Sequence, residues 1–252
     1  MNDEIDMRDS WNKISPYYQS KHKIPTHFVH YGPHCPSEDD LRLIGDVRGK
    51  RVLEIGCGGG QCAIAFAKRG AIATGIDVSD AQIEFARSLA LQEGVEVTFL
   101  QRDIEDLSSV PDSSQDIAFS AYALQYVERP ERCFSEVRRV LVPGGLLVFS
   151  LDHPFWQCLA EDSLTIVRSY HDPSPECWDG ACEGVPFPVP MRAFPRNVGD
   201  WLRLVRGAGL EVLDILEPEP VEYGSGEEWG DYYSAERQRM VPATIIWKAR
   251  KR

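Results

Sequence analysis

The clearest chemical pattern in this chain combines two carboxylates with a run of glycines. Asp77 lies 19 residues after Gly58 and closes one apolar run, and Asp103 follows the next apolar run. The glycines stand at positions 56, 58, 59 and 60, directly after the apolar run 51–55. Open α/β sheets bind ligands beyond the carboxyl ends of their strands. The spacing therefore predicts a nucleotide-binding βαβ unit in which Asp77 and Asp103 supply the polar groups.

The Gly-rich turn indicates which nucleotide is bound. A dinucleotide fingerprint requires glycine where this chain has Gln61, so a nicotinamide dehydrogenase is disfavoured. From Glu54 to Gly60 the pattern is E-x-G-x-G-x-G, which resembles motif I of class I S-adenosylmethionine (SAM) methyltransferases, of the small-molecule type in the type 11 group. The strand at 115–120 and the turn at 139–148 extend this resemblance over residues 37–151, and residues 197–250 match less closely.

The resemblance implies a role for each residue around the turn. Gly56 and Gly58 would let the methionine part of SAM pass close to the backbone. Asp77 would accept the ribose hydroxyls, while Asp103 and the Ile104 amide would meet the adenine. The residues expected to bind the donor are Tyr18 (or its neighbour Tyr17), Glu54, Gly56, Cys57, Gly58, Gln61, Asp77, Val78, Gln82, Asp103, Ile104 and Ala121.

The acceptor is expected to lie beyond the predicted strands 4 (116–120) and 5 (145–151). Its expected contacts are Tyr122, Gln125, Tyr126, His153 and Trp156. His153 is the preferred catalytic base, because Pro154 favours extended geometry before it and an ordinary histidine pKa of about 6.5 suits proton transfer. His30 and His34, in a predicted N-terminal lid, are the runner-up bases. A purely structural role remains open for all three histidines.

Composition narrows the class of protein. The 252 residues carry a net charge of −12, which disfavours nucleic acid or an anionic membrane as a partner. The acidic N-terminus and the lack of an apolar run of about 18 residues favour a cytoplasmic protein without a membrane span. Seven cysteines also favour a reducing compartment. Cys177 and Cys182 have a loose metal-like spacing without a second ligand pair, so no metal is expected.

Alternating helix and strand patterns predict a Rossmann-like α/β fold with a mostly parallel sheet. The resemblance implies seven strands, with the last antiparallel between its neighbours. The predicted parts are an N-terminal helical lid over 1–36, a SAM-binding core over 37–151, a substrate cap over 152–196 and the rest of the core sheet over 197–252. Within the cap, 165–169 and 185–191 read as short strands, and 218–240 as a second wall of the pocket.

These features predict a SAM-dependent methyltransferase for a small, partly aromatic or heterocyclic metabolite of specialised metabolism. Methyl transfer is an in-line displacement, so the protein mainly aligns the reactants and excludes water. The attacked atom (oxygen, nitrogen or carbon) and the oligomeric state stay open. The alternative is a SAM-binding sensor or partner subunit without catalysis.

Overall fold

A seven-stranded sheet with helices on both faces forms the body of the molecule. The computed structural model describes residues 5–180, 184–222 and 229–252, and so Cys182 lies outside the described residues. The sheet strands are β1 Arg51–Ile55, β2 Ile72–Asp77, β3 Thr98–Gln101, β4 Gln115–Ala121, β5 Leu141–Asp152, β8 Leu210–Leu216 and β9 Thr244–Lys251. The helices are α1 Met7–Lys21, α2 Glu38–Leu41, α3 Gln61–Lys68, α4 Asp80–Gln92, α5 Pro130–Val140, α6 Val198–Gly207 and α7 Ala235–Met240.

The strand order is β3-β2-β1-β4-β5-β9-β8. The first five of these strands run parallel to one another, whereas β9 is antiparallel to both β5 and β8. This arrangement confirms the predicted Rossmann-like α/β class and the reversed last strand. Helices cover both faces, and therefore a central strand such as β1 is buried on both sides from Val52 to Ile55.

Each face of the sheet has its own apolar core. On one face α5 and α6 pack on the sheet, where Phe149 stacks on Trp247 at 5.9 Å between ring centroids. On the other face, beneath α3 and α4, Phe66 meets Phe119 edge-to-face at 5.3 Å. Both cores leave the carboxyl ends of β1, β2 and β4 at a common edge of the sheet.

Helix α1 closes over that edge by polar contacts. The helix continues through Pro16. At its start, Arg8 holds Asp80 through bonds of 2.9 and 3.0 Å. At its end, the buried Gln19 donates to the Gln82 Oε1 at 2.8 Å and accepts from the Gln61 Nε2 at 2.7 Å. These three glutamines, the glutamine relay, connect α1 to the first turns of α3 and α4.

A two-stranded hairpin, β6 (Glu176–Asp179) and β7 (Pro190–Ala193), lies against α1. Its residues Val189 and Met191 form an apolar cluster with Ile14 of α1. The predicted strand at 165–169 is wrong, since the structure has only an isolated bridge between Leu159 and Ile166 there. The second predicted strand, 185–191, overlaps β7 at its end only.

The glutamine relay generates a stability prediction. Gln19→Leu leaves the amide groups of Gln82 and Gln61 buried without this partner, which costs about 1–3 kcal/mol. We expect a lower free energy of unfolding in urea and faster hydrogen exchange throughout α1. Lys13→Leu, on the exposed side of the same helix, is the matched control and should stay close to wild type. Equal exchange rates in α1 for both variants would contradict the role of the glutamine relay in holding α1 against α3 and α4.

Candidate active site

A cavity of about 570 Å³ opens at the carboxyl ends of β1, β2 and β4, beneath α1. All twelve residues predicted to bind the donor line this cavity. They are Tyr18, Glu54, Gly56, Cys57, Gly58, Gln61, Asp77, Val78, Gln82, Asp103, Ile104 and Ala121. The parallel register brings them together, because Ile55 pairs with Ile76 and both strands end at the same level.

Asp77 is fixed by backbone amides of two different loops. Its Oδ2 accepts a hydrogen bond from Gly58 N at 2.8 Å, and its Oδ1 accepts from Ser79 N at 2.9 Å. Burial raises the pKa of this carboxyl, and these backbone bonds partly oppose the shift. Each oxygen keeps a further lone pair, so the half-buried carboxylate can accept hydrogen bonds from a diol in the cavity.

Glu54 lies deeper and serves the start of α3. Its Oε2 accepts a hydrogen bond from Ala63 N at 2.7 Å, in the first turn of that helix. Burial raises the pKa of Glu54 to about 8, an effect larger than the opposing hydrogen bond from Ala63. The side chain therefore holds a proton at neutral pH while no cation is near it.

The Gly-rich turn fits a ligand that passes close to the backbone. Gly56 and Gly58 have φ angles of 66° and 50°, a region that L side chains rarely adopt. A Cβ on Gly56 would lie 2.2 Å from the Ala123 Cβ, whereas one on Gly58 would meet nothing within 4 Å. Because Gly58 lines the cavity, that open space is where the resemblance places the methionine part of SAM.

Aromatic side chains form the other side of the cavity. Tyr122 has an unusual φ of 56°, and its hydroxyl lies 2.5 Å from the Thr244 Oγ1. Tyr126 lies edge-to-face with Trp11 of α1 at 5.5 Å. Trp229, from the predicted second wall, also lines the cavity. Two of the predicted acceptor residues, Tyr122 and Tyr126, thus lie beside the donor residues.

His153, the predicted base, is not among the residues that line the cavity. Its Nδ1 accepts a hydrogen bond from Phe155 N at 3.1 Å, which leaves the proton on Nε2 to be donated to the Glu217 Oε1 at 2.8 Å. Burial lowers its pKa, against the effect of Glu217. Both ring nitrogens therefore make hydrogen bonds that hold the chain leaving β5.

Trp156 and Gln125 are also outside the cavity lining. Trp156 is fully buried and stacks on Tyr233 at 6.2 Å, so it belongs to the packing of the chain after β5. Gln125 points its Nε2 toward the Asp152 Oδ2 at 3.4 Å. The other oxygen of Asp152 accepts a hydrogen bond from the Tyr233 hydroxyl at 2.6 Å.

The two runner-up histidines have different places. His30 lines the cavity, and its buried Nδ1 has no hydrogen-bond partner among the described residues. Burial lowers the pKa of His30 to about 4, so its imidazole is neutral at physiological pH. His34 is buried outside the cavity lining. Of the three candidate bases, His30 alone borders the cavity in the part of the chain that the structure describes.

The cysteines beside the Gly-rich turn are packing residues. Cys57 and Cys62 are buried, and burial raises the pKa of each thiol well above its ordinary value.

Among the described residues no group of three His, Cys, Asp or Glu side chains is arranged to hold a metal ion. Over the same residues, no helix combines the length and the apolarity needed to cross a membrane.

Gln19 and Arg192 are two of the cavity residues that the sequence reasoning missed. Gln19 sits among the buried positions of α1, and a polar residue within that buried stripe was the available signal. Arg192 comes from β7, for which the sequence pattern gave no reliable register.

Comparison with known proteins places this site in a family. A family model described as a methyltransferase domain matches residues 53–149. A ubiquinone biosynthesis O-methyltransferase from Alkalilimnicola ehrlichii is 37% identical over 170 residues, covering 68% of this chain and 60% of the relative. Another, from Pseudomonas syringae pv. tomato, is 30% identical over 180 residues and covers 68% of each protein.

The solved structures agree with this assignment. An S-adenosylmethionine-dependent methyltransferase from Mesorhizobium loti has a TM-score of 0.66 and 27% identity, covering 84% of this chain and 96% of that one. The match spans only 60–65% of the length of the first curated relatives, so their acceptors are not thereby assigned to this chain. The matched domain, the sequence relatives and the sheet order together show that this chain belongs to the class I SAM-dependent methyltransferases.

Proposed function

We propose that this protein methylates a phenolic oxygen of a small aromatic acceptor. The observation that carries the proposal is one cavity in which the predicted donor residues adjoin aromatic side chains and the neutral imidazole of His30, whose Nδ1 has no hydrogen-bond partner among the described residues. The names of the sequence relatives, which are O-methyltransferases, support oxygen as the attacked atom.

The strand-end residues are proposed to hold the donor. Asp77 would accept the ribose hydroxyls, and Asp103 with Ile104 would meet the adenine. Glu54 would face the cationic methionine end. Bound SAM supplies an activated methyl group on a positively charged sulfur. The chain's own contribution is to align the acceptor with it and to exclude water beneath α1, and alignment alone is worth roughly 7–11 kcal/mol.

The aromatic side of the cavity is proposed to hold the acceptor. Rings such as those of Tyr122, Tyr126 and Trp11 offer flat apolar surface to another ring. A phenol must lose its proton as its oxygen takes the methyl group. The unpartnered Nδ1 of His30 is available to accept that proton, and we propose it in place of His153.

The direct test is transfer itself. The protein is incubated with isotopically labelled SAM and a panel of phenols and catechols, and the products are identified by mass spectrometry. We expect a label on oxygen in at least one ring compound, with S-adenosylhomocysteine formed in equal amount. Tight SAM binding without transfer to any acceptor, including a metabolite extract, would favour the non-catalytic sensor instead.

Asp77 should determine donor affinity. Asp77→Ala removes charge-assisted hydrogen bonds worth roughly 1.5–3 kcal/mol, so we expect SAM binding to weaken at least about tenfold in calorimetric titration. Asp46→Ala, which changes an exposed carboxylate facing Arg48 away from the cavity lining, is the matched control. A folded Asp77→Ala protein with wild-type affinity would place the ribose elsewhere.

Glu54 should make donor binding dependent on pH. Burial raises its pKa to about 8, so the free protein holds this proton at neutral pH and must release it when a cation binds beside the carboxyl. SAM affinity should therefore rise as pH increases from 6 toward about 8, with proton release measured by calorimetry in buffers of different ionisation enthalpy.

Glu54→Gln separates this effect from titration of the donor's own amino group. The variant retains an acceptor for Ala63 N but has no proton to lose. We expect its SAM affinity to vary less with pH than that of the wild type. Identical pH dependence in both proteins would show that Glu54 does not titrate on binding.

His30 should control turnover without controlling donor affinity. His30→Phe removes the proton acceptor, and loss of a general base typically lowers turnover about 10²–10⁴-fold. Since the His30 pKa is about 4, the wild-type rate should show no acidic limb near pH 6.5 caused by this residue. His27→Phe, at an exposed neighbouring position, is the control. Near-wild-type turnover in His30→Phe, measured on the same labelled acceptor, would remove His30 from the mechanism.

A further inference from the structure

Arg192 of β7 is an arginine of the cavity lining that no ion pair within the described ranges accounts for. It lines the cavity, and its Nε is buried without a hydrogen-bond partner in the described part of the chain. The other two arginines of the lining are ion-paired, Arg8 with Asp80 at 2.8 Å and Arg129 with Glu105 at 2.9 Å. Among the described residues, therefore, Arg192 is the lining arginine that remains available to a ligand.

An unpaired buried donor costs free energy, and a guanidinium costs more than a neutral group. Such a group is retained where a bound ligand supplies the partner that the free protein lacks. The planar guanidinium can form two parallel hydrogen bonds with a carboxylate. The ligand group that Arg192 is built to meet is therefore an anion, most simply a carboxylate.

The hairpin brings Arg192 to the aromatic side of the cavity. Phe194 N donates to the backbone oxygen of Gln125 at 2.8 Å, which holds the end of β7 beside the chain after β4. Trp178 of β6 lies 6.2 Å from Tyr126, and the Ser10 hydroxyl donates to the Pro190 oxygen at 2.6 Å. The predicted donor contacts, by contrast, come from the strand ends and the Gly-rich turn.

We propose that Arg192 binds a carboxylate on the acceptor, so that the substrate is a phenolic acid. This inference rests on the proposed function and narrows its substrate class. The donor also carries a carboxylate, but its methionine end is expected at the turn around Gly56 and Gly58, whereas Arg192 reaches the cavity from the hairpin. A neutral aromatic ring would leave the guanidinium unpaired.

The test compares two probes that differ only in the carboxylate. Binding of 3,4-dihydroxybenzoate and of catechol to the protein saturated with S-adenosylhomocysteine is measured by calorimetry. We expect the acid to bind at least tenfold more tightly to the wild type, although the net charge of −12 opposes anion binding in general. Arg192→Gln should abolish that preference and Arg192→Lys should retain part of it. Arg203→Gln, on the exposed side of α6, should leave the preference unchanged.

Two results would overturn the inference. One is equal affinity of the wild type for both probes. The other is an Arg192→Gln variant that keeps the preference while losing affinity for S-adenosylhomocysteine, which would assign Arg192 to the donor carboxylate. Failure of the proposed function is recognised separately, as tight SAM binding without transfer of labelled methyl to any acceptor, including a metabolite extract.

Discussion

The hydrogen bond from Gly58 N to the Asp77 carboxylate is the constraint on which the site depends. At 2.8 Å it ties the turn after β1 to the end of β2. It can form because β1 and β2 are parallel neighbours and because Cys57 N continues their ladder by donating to the Ile76 oxygen at 2.9 Å. The same carboxylate accepts from Ser79 N, so the starts of α3 and α4 are set relative to one another. One half-buried acid thereby organises both helices that border the cavity.

Helix α1 and the β6–β7 hairpin together form the roof of the cavity. Polar and apolar contacts between distant segments hold this roof in place. The glutamine relay carries α1 across the first turns of α3 and α4, and the hairpin rests on α1 through Ile14 and Met191. The strand ends contribute carboxyl groups, whereas the roof contributes aromatic rings and Arg192. This division explains how one cavity can offer a polar side to a donor and an aromatic side to an acceptor.

The strand ends were predictable from sequence because their residues are related by short, regular spacings. A strand, a turn and a helix of standard length put Gly58, Asp77 and Asp103 at one edge whatever the remaining chain does. The roof was not predictable in this way. Gln19 contacts Gln82 across 63 positions, and no local pattern encodes that pairing. His153 illustrates the same limit, since its position after β5 was foreseen but its partner Glu217, 64 positions away, was not. The contact with Glu217 occupies the Nε2 of His153 and holds the loop that follows β5.

The central claim is that the donor lies along the strand ends with its reactive end toward the aromatic side of the cavity. A crystal structure of the complex with S-adenosylhomocysteine tests this most directly. The account predicts ribose hydroxyls at about 3 Å from the Asp77 carboxylate, adenine beside Asp103 and Ile104, and the sulfur facing Tyr122. A ligand bound with its ribose away from Asp77, or with its sulfur turned from Tyr122, would contradict the account.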